Sequence, residues 1–314
     1  MNTTLKNSCR RFGCEIELNS FDGSSRSRGL NDLPTGIYET ANIIKNLVGD
    51  SVDITKWQYT HNNKRWAIKP DSSCGLEICS PPFVGIHGVN DIGKVVDGLA
   101  NKNMNSADKR CSFHAHVEIA DFTQRQIVFL VKKWVAYEMF FFLLTKPHRW
   151  VNQYCLPIGF FCDFDSDTLY NNTNLLTKLG QYKYFSINLF HYMKNKKKTI
   201  EFRIMGNEAC LSSEDAANWC KLLLCFVDRC SNYVGMTETK LEYDSFADCI
   251  DFLNLNKYFH DDEVLMWIIS KLNSVIEYEK EIHYSTKKFF WDSVISSKKH
   301  EIEDCVGMLE KFLK

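Results

Sequence analysis

The sequence predicts an α+β fold: an antiparallel sheet with helices over one face, followed by a helical C-terminal region. Three observations predict it. Short segments at 12–18, 111–119 and 199–205 alternate with a period of two, an apolar face against a polar one. The apolar stretch 127–144 is broken by Lys132, Lys133 and Glu138, which suits a buried helix and not a bilayer span. From 243 to the end the pattern is helical, with acidic and basic faces.

Composition narrows the function classes. At 45% apolar, 13% aromatic and 25% charged, the 314 residues have a globular profile, unlike a disordered chain, a collagen or a coiled coil. With 38 basic against 39 acidic side chains, no electrostatic reason exists for phosphate-driven nucleic-acid binding. No membrane association is expected, and oligomeric state has no signature. Residues 1–11 are polar and lack the apolar block of a secretory signal, so a reducing, cytoplasmic location is expected. The thirteen cysteines are then free buried thiols. Their nearest pairs are five apart with no C-x-x-C, and on a helix Cys220, Cys225 and Cys230 would drift by about 140° per step, too far for one tetrahedral zinc site.

Taken in order, 12–18 is a strand with Cys14, Ile16 and Leu18 on one face and Glu15 and Glu17 on the other. Residues 20–36 form a long loop. Strands follow at 66–69 and 76–79, joined by a turn over 70–75 and stopped by Pro81 and Pro82. A helix is expected over 89–100. In 111–119, Ala115, Val117 and Ile119 oppose His114, His116 and Glu118. Thr123 caps a helix to about Leu144, ended by Pro147. Residues 155–175 read as a second long loop. The runs 184–193 and 199–205 form an antiparallel hairpin with a lysine-rich tip at 194–198, and its second arm sets Ile200, Phe202 and Ile204 against Glu201 and Arg203. The tip is a solvated turn. After 212–215 a helix runs to about Asn232.

The polar faces carry the chemistry. Either pair of acids alone would be an ordinary exposed strand face, and Glu201 with Arg203 alone an ordinary surface salt bridge. Together, Glu15 and Glu17, His114 and His116, Glu201 and Arg203, with Glu77 from a fourth strand, make a platform for hard cations, which take oxygen ligands and commonly bring phosphate. Glu118 is peripheral. Arg149, Asp71 and Asn188 are weaker candidates that orient a loop or contact phosphate or substrate.

In order along the chain, the blocks Phe12-Gly-Cys-Glu-Ile-Glu-Leu18, Trp66-Ala-Ile-Lys-Pro-Asp71 with Gly75-Leu-Glu-Ile-Cys-Ser-Pro-Pro82, His114-Ala-His116-Val, Arg149 with Tyr154-Cys155, Tyr184 with Asn188-Leu189, and Thr199-Ile-Glu-Phe-Arg203 resemble the putative amidoligase family. That family groups with carboxylate–amine ligases of glutamine-synthetase-like fold, and the resemblance covers roughly 11–230. It implies a curved antiparallel sheet holding ATP and Mg2+ on its concave face, with 1–234 as the catalytic domain and 235–314 as a helical region of unassigned role. It further implies that Glu15, Glu17, Glu77, His114 and Glu201 are metal ligands, that His116 contacts nucleotide phosphate, and that Arg203 clamps the transferring phosphoryl group, with Glu77 and Glu201 serving catalysis and Arg149 the nucleotide. Asp71 and Asn188 would be substrate contacts. Where the family usually has a small residue before the His-x-His, this chain has Ser112-Phe113, and the usual Gly-Thr after the Glu-x-Arg is echoed by Gly206-Asn207.

The implied chemistry is ATP-dependent. A carboxylate at neutral pH is a poor electrophile, so it would first become an acyl phosphate that an amine then displaces, its proton leaving to a nearby carboxylate. The partners would be a small-molecule or peptide carboxylate and an amine. Two other readings stand beside this one: a zinc-dependent amide hydrolase using His114 and His116, and a non-catalytic scaffold derived from the ligase fold.

Overall fold

The computed structural model describes residues 10–19, 36–55, 64–150, 152–161, 172–232, 245–255, 262–278 and 288–313. The expected loop at 20–36 lies outside them except for Gly36. The fold is mixed α+β, around one eight-stranded sheet of order β2-β3-β4-β1-β6-β8-β7. The strands are β1 (Arg11–Asn19), β2 (Asp53–Ile54), β3 (Ala67–Asp71), β4 (Gly75–Cys79), β5 (Phe83–Val84), β6 (Phe113–Glu118), β7 (Ile187–Asn188) and β8 (Thr199–Phe202). β5 pairs with the start of β1 off the main path. The pairing is antiparallel except between β2 and β3, a short parallel pair that the alternation pattern does not reveal.

β1 lies at the centre because it is apolar on one face along its whole length. Phe12, Cys14, Ile16 and Leu18 join Ile68, Leu76, Ile78, Phe113, Ala115, Val117, Ile200 and Phe202 in a single core. That face meets α1 (Ile37–Val48), α2 (Gly85–Ala100), α3 (Gln124–Leu143) and later helices. The α3 helix starts in a capping box: Thr123 Oγ1 accepts from the Gln126 N–H, and Gln126 Oε1 accepts from the Thr123 N–H. Its Trp134 stacks on Phe141 at 4.5 Å and meets Phe202 of the sheet at 5.0 Å.

Several boundaries differ from the sequence expectation. β3 continues through Pro70 to Asp71, two residues past the expected end, because the tight turn is made by Ser72 to Cys74 and closed by Gly75 at φ 131°. Asp71 Oδ1 accepts from the Ser73 N–H at 2.7 Å and from its hydroxyl, which fixes that turn. The α2 helix starts four residues early, at Gly85. Residues 155–175 are not all loop: α4 (Ile158–Phe161) and the start of α5 (Asn172–Gln181) fall within them, and 162–171 lie outside the described residues. The first hairpin arm is mostly not strand. Of that arm only β7 pairs with β8, and α6 (Phe190–Met193) follows directly, since the Asn188 side chain accepts from the Phe190 N–H at 2.8 Å and starts a helical turn.

The remaining helices are α7 (Glu208–Leu211), α8 (Ser213–Ser231), α9 (Phe246–Leu253), α10 (Glu263–Tyr278) and α11 (Lys288–Phe312). Ser212 caps α8, accepting from the Asp215 N–H. The C-terminal helices belong to the same core: α9 and α10 pack on α8 and α3, and Trp267 Nε1 donates to Asp215 Oδ1 at 2.7 Å. Eleven cysteines are described, all buried. Among the described residues no helix is long and apolar enough to cross a membrane.

Candidate metal and phosphate site

Strand register assembles the site. One row across the sheet reads Lys69, Glu77, Glu17; the next reads Cys79, Glu15, His114; a third reads Gly13, His116, Glu201, Asn188. Alternation puts all of these on the face opposite the apolar core. Four stretches of chain separated by up to 186 positions thus meet in one hollow. Glu17, Glu77, His114 and Glu201 are buried, and Glu15 and His116 nearly so.

The donor atoms overlap in three groups, each within 4.8 Å: Glu15, His116 and Glu201; Glu15, Glu77 and Cys79; and Glu17, Asp71 and Glu77. His116 Nε2 lies 3.1 Å from Glu15 Oε1. His114 Nδ1 lies 3.3 Å from Glu15 Oε2 and 3.6 Å from Glu201 Oε1.

The hydrogen bonds around Ser112 decide what His114 can do. Glu17 Oε2 accepts from the Ser112 N–H at 2.8 Å and from its hydroxyl at 2.6 Å. With that proton committed, the Ser112 oxygen can only accept from His114 Nε2, 3.0 Å away. The hydrogen-bond network therefore assigns the Nε2–H tautomer to a neutral His114, whose Nδ1 lone pair then faces two carboxylates. Burial, with Arg203 nearby, holds the His114 pKa below its ordinary value despite Glu15, which favours that neutral form. The oxygen-rich donor set around His114 suits a hard divalent ion.

Charge balance points the same way. Burial raises Glu17 to about 8, with Glu77 and Asp71 adding to it against the Ser112 hydrogen bond. Burial and Glu15 raise Glu77 to about 7 against the Lys69 ammonium. Burial also opposes ionisation of Glu15 and Glu201. His116 outweighs it at Glu15, and Arg203 with His116 at Glu201, so both stay below the usual carboxylate range. The hollow carries more carboxylates than its own cations neutralise.

Around the hollow, Arg203 Nη1 pairs with Glu201, while its Nε donates to the Tyr154 carbonyl at 3.1 Å. Asn188 Nδ2 donates to Glu201 Oε2 at 2.7 Å. Both ends of the Asn188 amide are occupied, so it positions Glu201, in contrast to the substrate contact expected from the sequence. Asp71 joins Glu17 and Glu77 as a third carboxylate, its Oδ1 shared with the β3–β4 turn, which makes it a candidate ligand and not a substrate contact. Arg149 corrects the expectation most: it is 1% exposed, and its Nε and Nη2 donate to the carbonyls of Ile204 and Arg203. It braces the backbone behind the site. Glu118 sits at the far end of β6, paired with Arg11.

Three residues were missed. Ser112 holds Glu17 and His114. Lys69 pairs with Glu77 at 2.5 Å, and Cys79 Sγ lies 3.2 Å from the same oxygen, Oε1. Ser112 and Cys79 sit two positions from His114 and Glu77, and Lys69 two from Asp71. Extending each polar face by one step would have found them.

No curated protein matches the chain. A solved bifunctional glutathione synthetase from Pasteurella multocida aligns at 8% identity and a TM-score of 0.41, over 99% of this chain and 53% of its own. The chain thus spans about half the length of that protein, and the likeness is too slight to bear on fold or chemistry. The match over residues 8–159 places that stretch, which contains Glu15, Glu17, Glu77, His114 and His116, in the family described as "Putative amidoligase enzyme", as the sequence blocks indicated.

Proposed function

We propose that this protein is an ATP- and Mg2+-dependent carboxylate–amine ligase, with residues 1–234 forming a catalytic unit of glutamine-synthetase-like fold and residues 235–314 packed against it. The observation that carries the reading is the convergence of Glu15, Glu17, Glu77, His114 and Glu201 on one sheet face beside Arg203. Bound magnesium would neutralise the triphosphate and the carboxylates together, so that two anionic reactants can meet.

The chain's own residues supply the rest. Glu15, His114 and Glu201 would hold one cation position, and Glu17, Glu77 and Asp71 another. Asn188 and Arg203 fix the Glu201 carboxylate, and Ser112 fixes Glu17 and the His114 tautomer. Arg203, kept in place by the Tyr154 carbonyl, presents its guanidinium to the transferring phosphoryl group as a planar fork. His116, beside Glu15, contacts nucleotide phosphate. The substrate carboxylate oxygen attacks the terminal phosphorus, ADP leaves, and the acyl phosphate forms. An amine then attacks the acyl carbon, phosphate departs, and the ammonium proton passes to a carboxylate of the hollow. Activity at a zinc-bound water leaves the pairing of Glu201 with Arg203 without a task.

The test is a screen of amino acids, peptides and amines for ADP release that needs both a carboxylate and an amine, with Glu15→Gln as control. Failure of the wild-type protein to bind ATP with magnesium, together with unchanged behaviour of Glu201→Gln, would remove the proposal.

A further inference from the structure

Two lysines flank the carboxylates from opposite sides. Lys69, on β3, stands directly across from Glu77 in the sheet register and pairs with its Oε1 at 2.5 Å, its side chain only 17% exposed. Lys197 belongs to the basic turn before β8 and reaches Glu15 Oε1 at 3.8 Å, half-exposed. Its neighbours in that turn are engaged differently: Lys194 lies over the Phe190 ring at 3.7 Å, and Lys198 donates to Asn195. Lys197 is thus the turn residue whose charge falls on the carboxylate hollow.

Both contacts fall on carboxylates that belong to the candidate ligand groups. Glu77 Oε1 already meets Lys69 and Cys79, and Glu15 Oε1 meets His116 and Lys197. A divalent ion entering there competes with an ammonium for the same carboxylates. Arg203 differs, because its Nε is tied to a backbone carbonyl and Arg149 fixes its own. A lysine head is a compact charge on a flexible stem, with three rotatable donors in place of a rigid fork.

Resting on the ligase reading above, we propose that Lys69 and Lys197 are exchangeable cations. They neutralise Glu77 and Glu15 while the hollow holds no metal, yield those oxygens when divalent ions bind, and then engage an oxyanion of the incoming ligand. That oxyanion is either a nucleotide phosphate or a carboxylate of an acidic substrate. Removing either lysine would then have opposite effects on two ligands: the metal binds more tightly because its competitor is gone, and the oxyanion more weakly because its partner is gone. A lysine that merely holds Glu77 in place would weaken both.

The experiment is isothermal titration of the full chain with Mn2+ alone, then with the non-hydrolysable ATP analogue AMP-PNP and separately with L-glutamate, each at saturating Mn2+. Lys69→Met is expected to raise Mn2+ affinity roughly 10-fold and Lys197→Met about 3-fold, the smaller effect reflecting solvent screening. In each variant AMP-PNP or glutamate binds roughly 10-fold more weakly, and whichever weakens identifies the oxyanion. Lys69→Arg, which keeps the charge, stays near wild type for Mn2+. Unchanged or weaker Mn2+ binding in both methionine variants would overturn the proposal, as would tighter Mn2+ binding with no loss of either oxyanion. Lys197 is exposed enough that its variant folds even if Lys69→Met does not. A wild-type protein that binds neither Mn2+ nor AMP-PNP removes the ligase reading and this proposal together. One that binds both, with variants lacking the opposite shifts, removes this proposal alone.

Discussion

Arg149 donates from Nη2 to the main-chain carbonyl of Arg203 at 2.6 Å, and from Nε to that of Ile204 at 3.0 Å, so one buried arginine fixes the backbone from which the other projects. Arg149→Met strips two buried carbonyls of charged donors, a loss of about 2–4 kcal/mol in unfolding free energy by urea titration. Arg149→Lys does not restore it, because an ammonium cannot span both carbonyls. If Arg149→Met kept wild-type stability and lost only nucleotide affinity, Arg149 would touch the ligand after all.

Ser112 stands behind the metal candidates in the same way. Ser112→Ala leaves Glu17 one backbone donor and frees His114 to change tautomer. A partner that orients a ligand typically accounts for 10- to 100-fold in metal affinity. Mn2+ binding, followed by electron paramagnetic resonance, should weaken by roughly that factor while the melting temperature changes little.

How much of this was readable in advance depends on range. Period-two alternation found β1, β6 and β8, because each has one face in the core and a single-residue slip would bury its acids. Thr123 marked α3 through local hydrogen bonds that need only neighbours. The two-residue β2 has no room for alternation, and its parallel partner lies outside its own neighbourhood. Arg149 shows the deeper limit. A charged residue beside family blocks reads as a ligand contact, and only its three-dimensional partners reveal that Nε and Nη2 face backbone. Asn188, read from the sequence as a residue that orients a loop or contacts substrate, holds Glu201, a partner thirteen residues away.

Glu138 gives the pH prediction. It is buried in α3, accepts from the N–H groups of Ile158 at 2.8 Å and Gly159 at 2.9 Å and from the Ser186 hydroxyl, and burial raises its pKa to about 7 in spite of these donors. A folded pKa above the unfolded one means that the contribution to stability is fully present below about pH 4.5 and is lost as pH rises through 7. The size is on the order of 3 kcal/mol. Glu138→Gln removes this titration. Urea unfolding of wild type and variant from pH 4.5 to 8.5 should show the wild-type protein losing that much relative to the variant, most steeply between about pH 5 and 7. Parallel curves would place the Glu138 pKa near its ordinary value.

The last prediction concerns the C-terminal helices. On α9, Phe252 meets Phe226 at 6.1 Å and Tyr137 at 5.4 Å, while Phe246 meets Phe140 at 5.9 Å. On α10, Val264, Leu265, Trp267, Ile268, Leu272 and Val275 are all buried. At about 2 kcal/mol for each buried apolar side chain, these six alone represent on the order of 12 kcal/mol, comparable with the whole stability of a typical domain. Asp215, in the first turn of α8, would also lose both Trp267 and Lys271. A chain ending at residue 234 should therefore fail to fold alone, giving no cooperative thermal transition and strong binding of a hydrophobic dye. Trp267→Ala in the full chain should lose about 3–5 kcal/mol and still fold. A truncated chain that melts cooperatively would make residues 235–314 a separable unit.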